Sequence, residues 1–195
     1  WGYNVIKTNR ESVDVTNLQQ IRDFLEKNHC HIVINAAAYT KVDAAEDNKD
    51  LAFLVNADGA KNLAIATKEK NLPIIFISTN YVFDGKKESP YQINDKTNPI
   101  NTYGASKLLG EEYVKQENPS HYIVRTSWLY GKNGNNFVNT MLNLSKNNDT
   151  IRVVKDQFGC PTWTQDLALG IDKLIKKEAS FGTYHICNSG STNWY

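Results

Sequence analysis

Tyr103 and Lys107 stand four residues apart in Tyr103-Gly104-Ala105-Ser106-Lys107. On a helix that spacing places a phenol and an ammonium one turn apart on one face. The ammonium favours the phenolate and lowers the tyrosine pKa toward neutrality, which makes the phenol a general acid or base. Asn98-Pro99-Ile100-Asn101-Thr102 ahead of the pair reads as turn and cap, and Leu108, Leu109, Tyr113 and Val114 behind it keep an apolar stripe going, so the spacing predicts a helix that starts just before Tyr103. The same spacing occurs at Tyr3 and Lys7, where Val5-Ile6 reads as strand. By itself, then, the pair also fits a solvated helix face, and its context decides.

The elements around it alternate. Strands are predicted over 3–7, 31–35, 73–78, 121–126 and 183–187, with a short one over 151–154. Helices are predicted where apolar residues recur at helical spacing: Leu18 to Leu25 behind the capping sequence Asp14-Val15-Thr16-Asn17, then about 51–64, 137–142 and 167–175. Residues 157–162 read as a loop. This rhythm predicts an α/β fold with a doubly wound parallel sheet covered by helices on both faces. It changes near Gly134, so residues 1–133 form the main domain and 134–195 a smaller lobe woven into it.

The composition narrows the function. The chain has 195 residues, 22 basic and 21 acidic, with net charge +1. Nothing in that balance suits a nucleic acid or a membrane surface, and no apolar run is long enough to span a bilayer. The three cysteines, Cys30, Cys160 and Cys187, are scattered and read as reduced thiols of a cytoplasmic protein. No metal is expected: His29-Cys30-His31 alternate direction on a strand, and His185 with Cys187 reads as core packing.

In open parallel sheets ligands sit beyond the carboxyl ends of the strands. Three such ends carry small or polar residues. Asn35-Ala36-Ala37-Ala38-Tyr39-Thr40 lets a flat cofactor approach the backbone, although alanines are also plain helix formers. Ser78-Thr79-Asn80-Tyr81-Val82-Phe83 offers hydroxyls to a carbonyl oxygen, or forms a satisfied strand-end loop. Arg125-Thr126-Ser127-Trp128-Leu129-Tyr130-Gly131 offers rings to cover a ligand, or packs beneath the second lobe.

Taken in order, these segments with Tyr-Gly-Ala-Ser-Lys resemble the extended short-chain dehydrogenase/reductase family. Gly134-Asn135-Asn136-Phe137, Asp156-Gln157-Phe158-Gly159-Cys160-Pro161-Thr162 and Gly182-Thr183-Tyr184-His185 extend the resemblance along the whole chain, toward reductases of nucleotide-linked 4-keto-6-deoxysugars. The resemblance implies a Rossmann-type dinucleotide-binding domain over 1–133 and a substrate-binding lobe over 134–195. It implies NADPH-dependent reduction of a C4 keto group, giving dTDP-L-rhamnose for surface polysaccharide. Tyr103 would protonate the C4 oxygen, Thr79 would hydrogen-bond it, and Lys107 would tune Tyr103 and hold the nicotinamide ribose. Ala38, Tyr39, Thr40 and Ile77 would line the cofactor, and Asp14 and Val15 would meet its adenine. Asn80 and Trp128 would contact the sugar nucleotide. A homodimer is expected. A related reductase or epimerase, including those of spore-coat polysaccharide, and a non-catalytic regulatory relative are the alternatives.

Two departures matter. The family usually has aspartate where this chain has Asn80. Its first strand and glycine-rich phosphate loop do not occur, so the chain is expected to be part of a longer protein that begins a few dozen residues earlier and continues past Tyr195. After the strand predicted over 3–7, Thr8-Asn9-Arg10 holds no acid to bind ribose hydroxyls; Arg10 suits a 2′-phosphate, which favours NADP over NAD, or is simply solvated.

Overall fold

The computed structural model describes residues 2–195. The chain runs α1 (Leu18–Lys27), β1 (Val33–Asn35), α2 (Val42–Asp47), α3 (Lys49–Phe53), a π-helical turn (Leu54–Asp58), α4 (Gly59–Glu69), β2 (Ile74–Thr79), a 3-10 turn (Asn80–Val82), α5 (Thr102–Glu117) and β3 (His121–Thr126). It continues through β4 (Leu129–Tyr130), α6 (Phe137–Leu144), β5 (Phe158–Gly159), β6 (Thr162–Trp163), α7 (Thr164–Lys176), β7 (Gly182–His185) and β8 (Thr192–Asn193). The main sheet has the order β1-β2-β3-β7. β1 and β2 are parallel, with Val33 opposite Ile74 and Asn35 opposite Phe76. This is the parallel-sheet α/β arrangement of Rossmann type that the alternation predicts.

Contacts divide the chain into two units. The first runs to Val124 and includes Phe181–Tyr184; the second comprises Arg125–Ser180 and His185–Tyr195. The core of the first unit brings Ile21 of α1, Ala60, Leu63 and Ala64 of α4, and Val114 of α5 onto Ile74 and Phe76 of β2 and Ile123 of β3. Small residues on α4 let it lie close to both α1 and α5. α1 starts where its sequence says it should: the Asn17 side chain accepts from Gln20 N.

In the second unit β4 pairs with β6 in parallel and β5 with β8 antiparallel, two residues each. α7 buries Leu167 and Ile171, while α6 buries no residue. Among the described residues, no helix is long and apolar enough to cross a membrane.

Three strand expectations need correction. Residues 3–7 form no strand, and Val5 is 67% exposed. Residues 151–154 form none either, with Val154 half exposed. β-branched residues favour a pleated, half-buried surface, but a strand also needs a neighbour to take its N–H and C=O groups, and neither stretch is paired in a sheet of the described residues. β1 lies at the edge of the sheet and leaves Ile34 48% exposed instead of buried. The loop predicted over 157–162 contains β5 and the first residue of β6.

Candidate active site

α5 delivers Tyr103 and Lys107 from its first turns. Its N-terminus is held twice: the Asn101 side chain accepts from Gly104 N at 2.7 Å, and Glu46 accepts from both Thr102 N and Thr102 Oγ1 at 2.8 Å. A carboxylate at a helix N-terminus is favoured by the dipole and the unpaired N–H groups. These hydrogen bonds from Thr102, the backbone one foremost, lower the Glu46 pKa below its usual value.

Gly104 sets how close the helix can come. A Cβ built there would lie 2.2 Å from the carbonyl oxygen of Tyr81. One at Gly110 would lie 2.4 Å from the Asn56 carbonyl oxygen. The two glycines therefore seat α5 directly against the 3-10 turn and the π-helical turn.

That seating brings the predicted trio together. β2 ends at Thr79, whose hydroxyl accepts from Tyr81 N at 3.2 Å and hydrogen-bonds Tyr103. The Tyr81 and Tyr103 rings meet edge to face at 5.6 Å. Lys107 is 2% exposed; its Nζ donates to the Ile77 carbonyl at 2.7 Å and sits 3.9 Å from the centre of the Phe76 ring. Burial pushes its ammonium down to about 7, against the pull of the nearby Glu111 carboxylate.

The tuning differs from expectation. Burial raises the Tyr103 phenol above its ordinary value, and the Thr79 hydrogen bond only partly offsets this. The Lys107 ammonium is held on the Ile77 carbonyl and the Phe76 ring. A phenol held protonated is a proton donor at neutral pH.

Tyr39, one of the cofactor-lining candidates, is held by a residue that sequence reasoning missed. Asn56 is fully buried in the π-helical turn. Its amide accepts from Tyr39 N at 2.8 Å, donates to Tyr39 O at 3.1 Å, and donates to Ser106 Oγ at 2.9 Å. Ser106 in turn donates to Tyr103 O at 2.8 Å. One side chain thus fastens the loop carrying Ala38, Tyr39 and Thr40 to the helix carrying Tyr103 and Lys107. Its signal in the sequence was a lone amide inside an apolar helical run.

Asp84 is a second missed residue. It accepts from Tyr91 OH, Lys86 N and Asn98 Nδ2, which holds its carboxyl down at about 2 and closes the loop leading to the Asn101 cap.

Asn80 begins the 3-10 turn, with its Oδ1 3.4 Å from Thr79 Oγ1. Asp14, Val15 and Arg10 lie before α1. Asp14 accepts from Thr16 N and Oγ1, which lowers its pKa, and from Arg10 Nε at 3.2 Å; the Arg10 side chain is 77% exposed. Val15 O accepts from Asn62 of α4.

Trp128 belongs to the second unit. It takes a left-handed backbone, φ 47°, that bulky residues seldom adopt. Its ring stacks on Trp194 at 3.6 Å, and both line an apolar cavity of about 250 Å³ with Tyr130, Phe137 and Pro161. Among the described residues no group of three His, Cys, Asp or Glu could hold a metal ion.

The profile of the RmlD substrate binding domain matches residues 1–195. The chain is 40% identical over 194 residues to the spore coat polysaccharide biosynthesis protein SpsK of Bacillus subtilis, spanning 100% of this chain and 68% of that protein. It is 44% identical over 169 residues to a dTDP-4-dehydrorhamnose reductase of Sinorhizobium fredii, spanning 84% and 57%. The crystal structure of dTDP-4-dehydrorhamnose reductase from Bacillus anthracis in complex with NADP superposes with a TM-score of 0.94 at 46% identity, over 99% of this chain and 69% of that one. With its full length matched by the family profile and a relative 40% identical over 194 residues, the chain belongs to the RmlD substrate-binding-domain family.

Proposed function

We propose that the protein of which this chain forms part reduces the C4 keto group of dTDP-4-dehydro-L-rhamnose to the alcohol of dTDP-L-rhamnose, with NADPH as reductant. The observation that carries this is the meeting of a protonated phenol, a hydroxyl and a buried ammonium at the end of β2. The relatives named dTDP-4-dehydrorhamnose reductase, one of them in complex with NADP, support the same reading.

In this reading Tyr103 gives its proton to the C4 oxygen, and Thr79 donates a hydrogen bond to that oxygen as negative charge develops on it. The Lys107 ammonium then stabilises the phenolate left behind. Bound NADPH supplies the hydride. Lys107 has three donors and uses one on Ile77, so the others suit the ribose hydroxyls. Ala38, Tyr39, Thr40 and Ile77 would line the cofactor, Asp14 and Val15 would meet its adenine, and Arg10 would take the 2′-phosphate. Asn80 and Trp128 hold the sugar nucleotide. Residues 1–133 serve the dinucleotide and 134–195 the substrate lobe. A cytoplasmic location fits the three free cysteines.

The test is turnover of the full-length protein with dTDP-4-dehydro-L-rhamnose. Faster oxidation of NADPH than of NADH, with dTDP-L-rhamnose as product, is expected. No turnover of this sugar would overturn the substrate, and a strong NADH preference would overturn the cofactor. The 40% identity to a spore coat polysaccharide protein favours a second reading, a different 4-keto nucleotide sugar in spore-coat synthesis. Turnover of such a sugar in place of the dehydrorhamnose would select it.

A further inference from the structure

The stripe on α5 does not stop at Lys107. Tyr103, Lys107, Glu111 and Lys115 follow at four-residue steps along the helix. Glu111 is wholly buried, whereas the Lys115 side chain at the end of the stripe is 43% exposed. A buried carboxylate is costly unless it is partnered. Glu111 accepts from Ser78 Oγ at 2.5 Å and has Lys115 Nζ at 3.8 Å.

Ser78 lies between Ile77, whose carbonyl takes the Lys107 ammonium, and Thr79, which hydrogen-bonds Tyr103. Glu111 therefore holds the middle one of the three residues of β2 on which the proposed site rests. Lys107 itself meets the Phe76 ring and the Ile77 carbonyl of β2, and Glu111 is the charge that acts on it.

We propose that Glu111 is a positioning residue for the reduction: its buried carboxylate, one helical turn beyond Lys107 and hydrogen-bonded to Ser78, favours the ammonium form of Lys107 and fixes Ser78 between Ile77 and Thr79, and so supports the charge that helps Tyr103 release its proton. This rests on the reading of Tyr103 as proton donor. A carboxylate that served only to anchor Ser78 would leave the charge state of Lys107 untouched.

The test is Glu111→Gln in the full-length protein; the amide oxygen still accepts from Ser78, but the charge is gone. Lys107 is followed by NMR of its labelled side chain against pH, beside the pH profile of kcat. Losing the anion disfavours the ammonium, so the Lys107 midpoint and the alkaline limb of kcat should both move down, by about one to two pH units. An unchanged Lys107 midpoint overturns the proposal. If the midpoint moves while neither protein turns over the sugar, the substrate reading fails and this one stands. If Glu111→Gln does not fold, the wild-type titration decides. A Lys107 midpoint near 7 supports the pairing, and one below about 6, where buried lysines without a partner fall, overturns it.

Discussion

The corner where α5 meets β2 and the aromatic cavity of the second unit are built by different means. At the corner Lys107, Glu111, Ser106 and Asn56 are each at most 2% exposed and linked by hydrogen bonds or charge. In the second unit α6 buries nothing, the small ladders are two residues long, and stacked rings at Trp128 and Trp194 do much of the packing. The difference matches the two proposed tasks. Proton transfer needs groups held to a fraction of an ångström, which burial and polar networks provide. Holding a sugar nucleotide needs broad, forgiving surface, which aromatic rings provide.

The sharpest way to break the corner is Lys107→Met. We expect kcat to fall about 10²- to 10³-fold, the scale of losing one preorganised charge. Stability should move in a way that reveals the lysine. Its ammonium titrates at about 7 in the folded chain against 10.5 for the free group. Between those values the unfolded chain holds the extra proton, so wild-type stability rises with pH across that window. Denaturant unfolding from pH 7 to pH 10 should show this rise in the wild type, and its loss in Lys107→Met.

A pair of glycines compares the two regions directly. Gly104→Ala drives a methyl into the Tyr81 backbone, and Gly159→Ala drives one into the Trp128 ring, 2.5 Å from its Cε2. Backbone yields less than a side chain. Gly104→Ala should cost about 1–3 kcal/mol, with kcat down about 100-fold from misplacing Tyr103. Gly159→Ala should cost about 1 kcal/mol and act mainly on KM for the sugar. Thermal unfolding and steady-state kinetics check both, and equal effects would remove the distinction.

Asn56→Ala sharpens the link between the cofactor loop and α5. It should cost about 1–3 kcal/mol, because Tyr39 N and O lose a buried partner. KM for NADPH should rise more than KM for the sugar. Trp128→Ala is the mildest change: loss of one ring pair, about 0.5–1.5 kcal/mol, should raise KM for the sugar nucleotide with kcat nearly unchanged.

Where periodicity and local chemistry agreed, the sequence was readable. The cap at Asn101, the helix from Thr102 and the strand at Ile74–Thr79 follow from residues within a few positions of each other. So does the convergence of Tyr103 with Thr79, once the strand ends are placed. What escaped depends on partners distant in the chain. Tyr3 to Lys7 has the composition of a strand, but pairing decides strands. The phenol of Tyr103 was expected to be lowered, yet burial, which spacing does not reveal, pushes it up. Asn56, Glu46 and Glu111 act across 50, 56 and 33 residues, on Ser106, Thr102 and Ser78 respectively. Gly104 read as one letter of a motif, whereas its role is to admit the Tyr81 carbonyl.

The central claim is that Tyr103 gives the proton. Tyr103→Phe in the full-length protein removes one hydroxyl and leaves the ring packed against Tyr81. Single-turnover NADPH oxidation with dTDP-4-dehydro-L-rhamnose should then slow about 10²- to 10⁴-fold while NADPH binding is unchanged. A rate within about threefold of wild type would contradict the account, because a lost general acid costs far more than that.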